Sequence, residues 1–340
     1  MSIRVAVNGC GRIGRTFLRL AVKNSNIEVV AVNDLGDMAN IAYLMQHDSV
    51  YGSAPFSVTT DEANRKLVLD DKEIIFLSEK DPALLPWKDL NIDVVVESTG
   101  LFTSYEKAKA HLDAGAKKVV VTAPMKDNPV NLAGATVLMG VNEDQLAKCV
   151  ITSDASCTTN AASPLIAILD EGLGIEKAVL NTVHAYTASQ GIVDGANKKD
   201  FREGRAGANN IVPTSTGAAI AVTKAFPKLE GLFDGISIRV PVIAGSIVDV
   251  TFISKKQTTV EEVNNLLISA ANDKRWANIF SITEEPLVSS DIVGSPFGSI
   301  ADLKLTRVIG GNLVKVLAWY DNEMGYCYTL LEHVLKTGKS

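Results

Sequence analysis

The sequence predicts an α/β chain of two domains: a doubly wound parallel sheet, then an α+β domain built on a mostly antiparallel sheet. Short β-branched runs alternate with amphipathic runs through the first half. A glycine turn joins the first strand to the first helix, as nucleotide-binding sheets require. Beyond residue 155, several strands follow one another with few helices between them. The chain has 340 residues, 46% of them hydrophobic, which exceeds what a single core usually serves. The expected limits are 1–155, completed by a C-terminal helix over 321–340, and 156–320.

The opening strand, Ile3 to Val7, runs into Asn8-Gly9-Cys10-Gly11-Arg12-Ile13-Gly14. The helix that follows places Ile13, Phe17, Leu20 and Ala21 on one face of a 3.6-residue period. A second strand, Glu28 to Asn33, ends on Asp34, about twenty residues beyond Gly14, the spacing of a dinucleotide fingerprint. In that fingerprint Gly9 makes the tight turn, Gly11 lets the backbone approach a pyrophosphate, and Gly14 lets the helix pack close to the strand. The acid accepts ribose hydroxyls. Gly9, Gly11, Arg12, Ile13, Gly14 and Asp34 are thus candidate cofactor residues of a Rossmann-type sheet.

That sheet continues with Asp93 to Glu97, a strand-end loop Ser98-Thr99-Gly100, and a helix over Ser104 to Gly115 capped by Ser104. Lys118 to Ala123 and Thr136 to Gly140 read as further strands. Ligands of such sheets bind outside the carboxyl ends of the strands, where Asp34, Ser98, Thr99 and Thr122 all lie. Phe56 to Phe76 differs, with short alternating pieces and a turn at Lys72-Glu73, and is expected to form an antiparallel flap at the sheet edge.

The second half begins with Ser153-Asp154-Ala155-Ser156-Cys157-Thr158-Thr159-Asn160, directly before the apolar helical run Ala161 to Leu169. Ser, Thr and Asn favour helix starts, which puts Cys157 at the positive end of a helix dipole. Such a position lowers a thiol pKa from about 8.5 and favours the nucleophilic thiolate. Glu176 to His184 alternates as a long strand. Ala185 to Asn210 has no periodicity and carries Gly191, Gly195, Gly204 and Gly207 with Lys198, Lys199, Arg202 and Arg205. A helix over Ser215 to Phe226 precedes strands at Ile236 to Val240 and Ile247 to Ser254. A helix over Val260 to Asp273 and strands at Asp302 to Val308 and Leu313 to Trp319 come next. The last helix starts at Asn322.

Composition excludes several functions. Net charge is −6 and no dense Lys/Arg cluster occurs, which argues against nucleic-acid partners. The apolar runs fall far short of the roughly 18 residues of a membrane span. The start reads as a strand instead of a signal or transit peptide, so a cytoplasmic location is expected. Four cysteines, at 10, 149, 157 and 327, show no C-x-x-C pairing, and the scattered histidines offer no metal-ligand spacing.

The chain resembles the phosphorylating glyceraldehyde-3-phosphate dehydrogenase family from Val7-Asn8-Gly9 to Trp319-Tyr320-Asp321-Asn322-Glu323. Between these lie, in the family's order, Gly11-Arg12-Ile13-Gly14-Arg15, Val32-Asn33-Asp34, Glu97-Ser98-Thr99-Gly100, Ala155-Ser156-Cys157-Thr158-Thr159-Asn160, Val183-His184-Ala185-Tyr186-Thr187, Pro213-Thr214-Ser215-Thr216-Gly217-Ala218-Ala219 and Ile238-Arg239-Val240-Pro241. The resemblance implies oxidation of glyceraldehyde 3-phosphate through a hemithioacetal and thioester on Cys157. His184 would be the base, and inorganic phosphate would release an acyl phosphate. It implies Thr187 and Arg239 at the substrate phosphate, Ser156, Thr158, Thr216 and Gly217 at inorganic phosphate, and Asn322 at the nicotinamide carboxamide. A homotetramer, with Ala185 to Asn210 at a subunit interface, is implied too.

Several positions depart from the family pattern. Cys10 replaces a usual Phe and Asp154 a usual Asn, and a carboxylate facing the sulfur there would oppose ionisation. Ala161 stands where a second cysteine is common, and Ser189 or its neighbour where many members have Asp. Asp34 repels a 2'-phosphate and favours NAD, while Gly195-Ala196 after Asp194 leave room for NADP or dual use. An erythrose-4-phosphate or related semialdehyde dehydrogenase, and a non-catalytic nucleotide-binding or moonlighting protein, are the alternatives. Retained Ser215-Thr216-Gly217 and Thr187 speak against the first, and intact Cys157 and His184 against the second.

Overall fold

β-branched runs at Ile3–Asn8, Ile27–Asn33 and Val94–Glu97, buried on both faces, line up as the centre of a parallel sheet. Strands covered on both sides read as such continuous apolar runs. The computed structural model describes residues 2–198 and 200–340; Met1 and Lys199, the latter one of the basic residues noted in the glycine-rich segment, lie outside them. The chain forms two compact units, one taking in the residues up to Ala155 with Leu330–Ser340, the other Ser156–Thr329. Among the described residues, no helix is long and apolar enough to cross a membrane.

In the first unit the sheet order is Gly134–Thr136, Ile151–Ser153, Lys118–Val121, Val94–Glu97, Ile3–Asn8, Ile27–Asn33, Lys72–Leu77, Lys66–Leu69, Val58–Asp61. Pairing is parallel as far as Lys72–Leu77, and the last two strands add on antiparallel. This is the expected doubly wound sheet with an antiparallel edge, but Lys72-Glu73 begins a strand and the turn is Asp70-Asp71. Leu69 pairs with Lys72, so the hairpin has a two-residue loop, and Asp70 takes the left-handed conformation (φ 54°) such loops demand. The first helix, Arg12–Ala21, also differs from expectation. It buries Gly14, Phe17, Leu18 and Ala21 and leaves Ile13 and Leu20 half-buried. Contact of Gly14 with the glycine turn fixes this rotation. A helix over Met38–Gln46, capped by Asp37 and burying Ile41, Ala42 and Met45, was not among the expected elements.

In the second unit the sheet order is Val212–Ser215, Phe233–Val240, Ile175–Ala185, Ser246–Ser254, Leu313–Tyr320, Ser299–Asp302, Phe280–Thr283. Most pairs are antiparallel; Ile175–Ala185 with Phe233–Val240 and Phe280–Thr283 with Ser299–Asp302 are parallel. Ser246–Ser254 alternates strictly, with Val248, Val250 and Phe252 buried, and the helix Cys157–Leu173 packs on this sheet. The single strand expected over Asp302 to Val308 is broken. Asp302 ends one strand, its carboxylate accepts from the Lys304 amide at 3.2 Å to cap a short 3₁₀ turn, and pairing resumes at Arg307–Ile309. The helix expected from Ser215 starts at Ala218, because Val212–Ser215 pairs with Phe233–Val240. Thr259 and Glu262 form a capping box on Val260–Ala271.

Candidate functional site

The glycine turn of the first unit is built by exclusion. Gly9 has φ +100°, and a Cβ there would lie 2.7 Å from the Thr99 amide nitrogen. A Cβ on Gly14 would lie 2.0 Å from the Gly9 carbonyl oxygen, so no side chain fits between helix and turn. At Gly11 a Cβ would meet nothing within 4 Å. That open side gives onto a cleft of about 330 Å³ whose walls include Gly9, Gly11, Asp34, Ser98 and Thr99. No side chain caps the start of Arg12–Ala21. An open glycine backbone at a helix N-terminus suits a pyrophosphate, so the residues present fit a dinucleotide.

Asp34 closes the turn from the other strand. Its Oδ2 accepts from the Cys10 amide at 2.6 Å and its Oδ1 from the Gly36 amide at 2.7 Å. Cys10 itself is buried, and burial followed by the Asp34 charge pushes its thiol up to about 12, so it acts as a small apolar residue. Arg12, expected among the cofactor residues, pairs its guanidinium with both oxygens of Asp48, so its backbone and not its charge faces the turn. The Thr122 hydroxyl donates to the Glu97 carbonyl at 3.2 Å, and Ser98 Oγ to the Gly9 carbonyl at 2.7 Å.

Beneath the cleft is a polar network that sequence reasoning missed. Buried Glu97 accepts from Asn8 Nδ2 at 2.6 Å on one oxygen and from the Thr99 amide at 2.8 Å on the other. Trp87 Nε1 donates to His111 Nδ1 at 3.0 Å, which leaves the ring proton on Nε2 to donate to Glu97 Oε2 at 3.0 Å. Asn8, Trp87, Glu97 and His111 are all buried and hydrogen-bonded, which holds the strand ends in one arrangement. Glu97 lies in a quoted motif, but its partners are far apart in the chain.

The thiol of the second unit sits where expected. Ser156 is the N-cap of Cys157–Leu173, its Oγ accepting from the Thr159 amide at 3.2 Å, and Cys157 is the first helical residue. His184 comes from the inward face of Ile175–Ala185, after Leu180 and Thr182. Cys157 Sγ and His184 Nε2 are 3.3 Å apart. The parallel neighbour strand sets Arg239 level with His184, with Nη1 at 2.6 Å from His184 Nδ1 and 3.3 Å from the Ala185 carbonyl.

The surroundings of the pair act both for and against the ionised sulfur expected from the sequence. Burial pushes the Cys157 thiol up, outweighing the Arg239 charge and the amide and hydroxyl of Thr158 that favour the thiolate. Burial, and then the Arg239 charge, lower His184 to about 3. Burial thus works toward the neutral form of each partner. Asp154 has no part in this: its buried carboxylate bonds His333 Nδ1 at 2.9 Å, and His333 Nε2 reaches Thr152 Oγ1 at 2.8 Å.

Tyr320 is a second residue missed from the sequence, although its motif was noted. Its buried hydroxyl bridges Thr158 Oγ1 at 2.9 Å and Thr182 Oγ1 at 2.7 Å, tying the start of the thiol helix to the His184 strand. Its ring stands edge-on to the imidazole at 6.0 Å. Thr158, expected at inorganic phosphate, is thus turned into the core. Thr187 follows the same strand end and is half-buried, its hydroxyl 3.0 Å from Ser189 Oγ. Thr216 Oγ1 accepts from the Ala218 amide at 3.2 Å, and exposed Gly217 precedes Ala218–Ala225, which packs on the thiol helix. Asn322 Oδ1 accepts from the Gly245 amide at 3.1 Å and Ser246 Oγ at 3.0 Å, so only its Nδ2 serves a ligand. Among the described residues no group of three or more His, Cys, Asp or Glu is placed to hold a metal ion.

Two family models match the chain: glyceraldehyde 3-phosphate dehydrogenase, NAD binding domain, over residues 3–105, and its C-terminal domain over residues 156–322. The chain is similar to glyceraldehyde-3-phosphate dehydrogenase of Mycolicibacterium smegmatis, 47% identical over the whole of both chains. It is 50% identical to that of Thermotoga maritima over 95% of each chain. With the protein of the same name from Geobacillus stearothermophilus it shares 45% identity over 98% of this chain and 97% of the relative.

Proposed function

The chain belongs to the glyceraldehyde-3-phosphate dehydrogenase family, and from that premise we propose that it oxidises glyceraldehyde 3-phosphate with NAD and captures the product as an acyl phosphate, in glycolysis or gluconeogenesis. The observation that carries this reading is the 3.3 Å contact between Cys157 Sγ and His184 Nε2 at a helix start.

Attack on the aldehyde is coupled to proton transfer between the thiol and the imidazole 3.3 Å away. The Cys157 sulfur bonds to the carbonyl carbon while its proton passes to His184 Nε2, which returns it to the oxygen to give a hemithioacetal. His184 then takes the hydroxyl proton back as the carbon is oxidised. Bound NAD supplies the acceptor for the hydride that leaves this carbon. The acyl group remains on the sulfur as a thioester. Inorganic phosphate attacks it, the carbon–sulfur bond breaks, and the sulfur leaves with the proton held by His184.

Arg239, with Thr187 beside the strand end, would hold the substrate phosphate, since a guanidinium offers a planar fork of donors. Ser156, Thr216 and Gly217 would receive the attacking phosphate, the last two at a helix N-terminus. Thr158 and Tyr320 would instead fix the sulfur and imidazole relative to each other. Asn322 Nδ2 is the donor available to a carboxamide oxygen. Gly9, Gly11, Gly14, Asp34, Ser98 and Thr99 would cradle the dinucleotide, with Arg12, Ile13 and Thr122 contributing backbone or support. The erythrose-4-phosphate, semialdehyde and non-catalytic readings have no observation in their favour.

An assay following NADH formation from glyceraldehyde 3-phosphate tests the reading. Turnover should need inorganic phosphate and should prefer NAD, because the Asp34 carboxylate would meet a 2'-phosphate. Sustained turnover without phosphate would overturn the acyl-phosphate step, and a preference for NADP would overturn the role given to Asp34. The four cysteines without C-x-x-C spacing support a cytoplasmic enzyme. Ile192, Val193 and Phe201 are 73–90% exposed on the glycine-rich segment, which supports burial between subunits of a homotetramer. Light scattering should then give four chain masses; a single chain mass would sink that assignment.

A further inference from the structure

The side chains at the carboxyl ends of three neighbouring strands of the first unit form one hydrogen-bonded ladder. Asn33, Asn8 and Glu97 are the last residues of Ile27–Asn33, Ile3–Asn8 and Val94–Glu97, and they stand side by side in the parallel register. At one end Asn33 clamps the backbone of Glu79. Its Oδ1 accepts from the Glu79 amide at 2.8 Å, and its Nδ2 donates to the Glu79 carbonyl at 2.9 Å. The same Nδ2 donates to Asn8 Oδ1 at 2.7 Å, and Asn8 Nδ2 donates to Glu97 Oε2 at 2.6 Å. From the other side the Trp87 indole fixes the His111 proton on Nε2, which donates to that same oxygen, while the Thr99 amide donates to Oε1.

The ladder has a fixed direction. Backbone amides and an indole N–H only donate, whereas an Asn side chain accepts at its oxygen and donates from its nitrogen. Three chains, begun by the Glu79 amide, the Thr99 amide and the Trp87 indole, therefore all arrive at residue 97 as donors, and none can be reversed. Only a group that accepts on both oxygens fits there. Asn8 Nδ2 and His111 Nε2 lie 3.5 Å apart because they share one of those oxygens. Asn8, Asn33, Glu79 and Thr99 are walls of the cleft at the glycine turn, whereas Trp87 and His111 are fully buried and form none of its walls.

We propose that Glu97 is a positioning residue for NAD: by accepting from three directions it sets the orientation of the Asn8 and Asn33 amides, and through them the Glu79 wall of the cleft. This rests on the reading of that cleft as the dinucleotide site. Cofactor affinity should then depend on His111, which no ligand in the cleft can touch. Glu97→Gln leaves the volume almost unchanged but sets an N–H₂ group against either the Thr99 amide or the Asn8 and His111 donors. Flipping an amide only moves this mismatch along the ladder, because every chain ends on a fixed donor.

The test uses the full-chain enzyme and titration calorimetry with NAD. Glu97→Gln should weaken binding by about tenfold or more, the effect of one buried donor left facing another. His111→Gln, whose carboxamide can accept from Trp87 and donate to Glu97, should stay within about threefold of the wild type, while His111→Phe should lose about tenfold. Iodoacetamide modification of Cys157 in NAD-free enzyme, in the other compact unit, should keep its wild-type rate in all three. In ¹⁵N-histidine-labelled wild type, which needs no variant to fold, His111 should be protonated at Nε2 and bare at Nδ1 with and without NAD. A proton on His111 Nδ1, unchanged affinity in Glu97→Gln, equal losses in His111→Gln and His111→Phe, or a Cys157 rate that falls in step with affinity would each overturn the inference. Gly11→Val separates the two levels, because a side chain there meets only the open cleft. If NAD affinity survives it, the cleft is not the dinucleotide site and the inference fails with that reading; if it abolishes binding while Glu97→Gln does not weaken it, only the ladder falls.

Discussion

Cys157→Ser should lower kcat/KM for glyceraldehyde 3-phosphate by about 10⁴-fold or more, the range seen when a covalent nucleophile is removed. A serine hydroxyl in the same place would face the same imidazole, but it holds its proton far more tightly than a thiol. The oxygen ester it would form is also a poorer acyl donor than a thioester. The rest of the molecule gives the loss little reason to spread. Cys157 is the first residue of its helix, only half-buried, and the cap is supplied by Ser156 Oγ. The glycine turn and Asp34 belong to the other compact unit, so NAD affinity, followed by fluorescence titration, should change little. A variant that retains a tenth of the wild-type rate would refute covalent catalysis by this sulfur.

The parts of the molecule legible in the sequence are those whose constraints are local. Gly14 announces itself because a side chain there would strike the Gly9 carbonyl within the same turn, and Gly9 because the turn holds it at φ +100°. Ser156 and Cys157 are readable as a helix start for the same reason, the capping contact reaching only to Thr159. The inward alternation ending at His184 is visible in one strand. What escaped was set by distant pairing. Tyr320 is tied to Thr158 and Thr182 across most of the second unit, and His111 to Trp87 and Glu97 through a fold the local pattern cannot reveal. The electrostatics of the thiol have both a local and a distant source. A helix dipole is a sequence-local effect worth about 1 kcal/mol, but the burial that opposes it comes from the whole domain. Asp154, a concern when only its spacing from Cys157 was known, is taken up by His333 from the far end of the chain.

His184→Asn should reduce kcat/KM by about 10²- to 10⁴-fold at neutral pH, the contribution of a placed general base. The dependence on pH distinguishes loss of the base from loss of structure. With its imidazole held near 3, the wild type should show no acid limb from His184 through the weakly acidic range. The variant must wait for the thiol to ionise in solution. Burial keeps that thiol above its usual pKa, so its rate should climb about tenfold per pH unit through neutrality, and the deficit should shrink in alkali. Stability should move the other way. In the wild type the unfolded chain takes up a proton at His184 below about pH 6.5 while the folded chain does not until near 3, so this residue draws stability down as pH falls across that window. Asparagine carries no such proton, and the variant should lose less stability than the wild type between pH 7 and pH 4 in urea titrations. A variant whose rate deficit is the same at every pH, or whose acid sensitivity matches the wild type, would show that His184 is not the neutral base its surroundings make it.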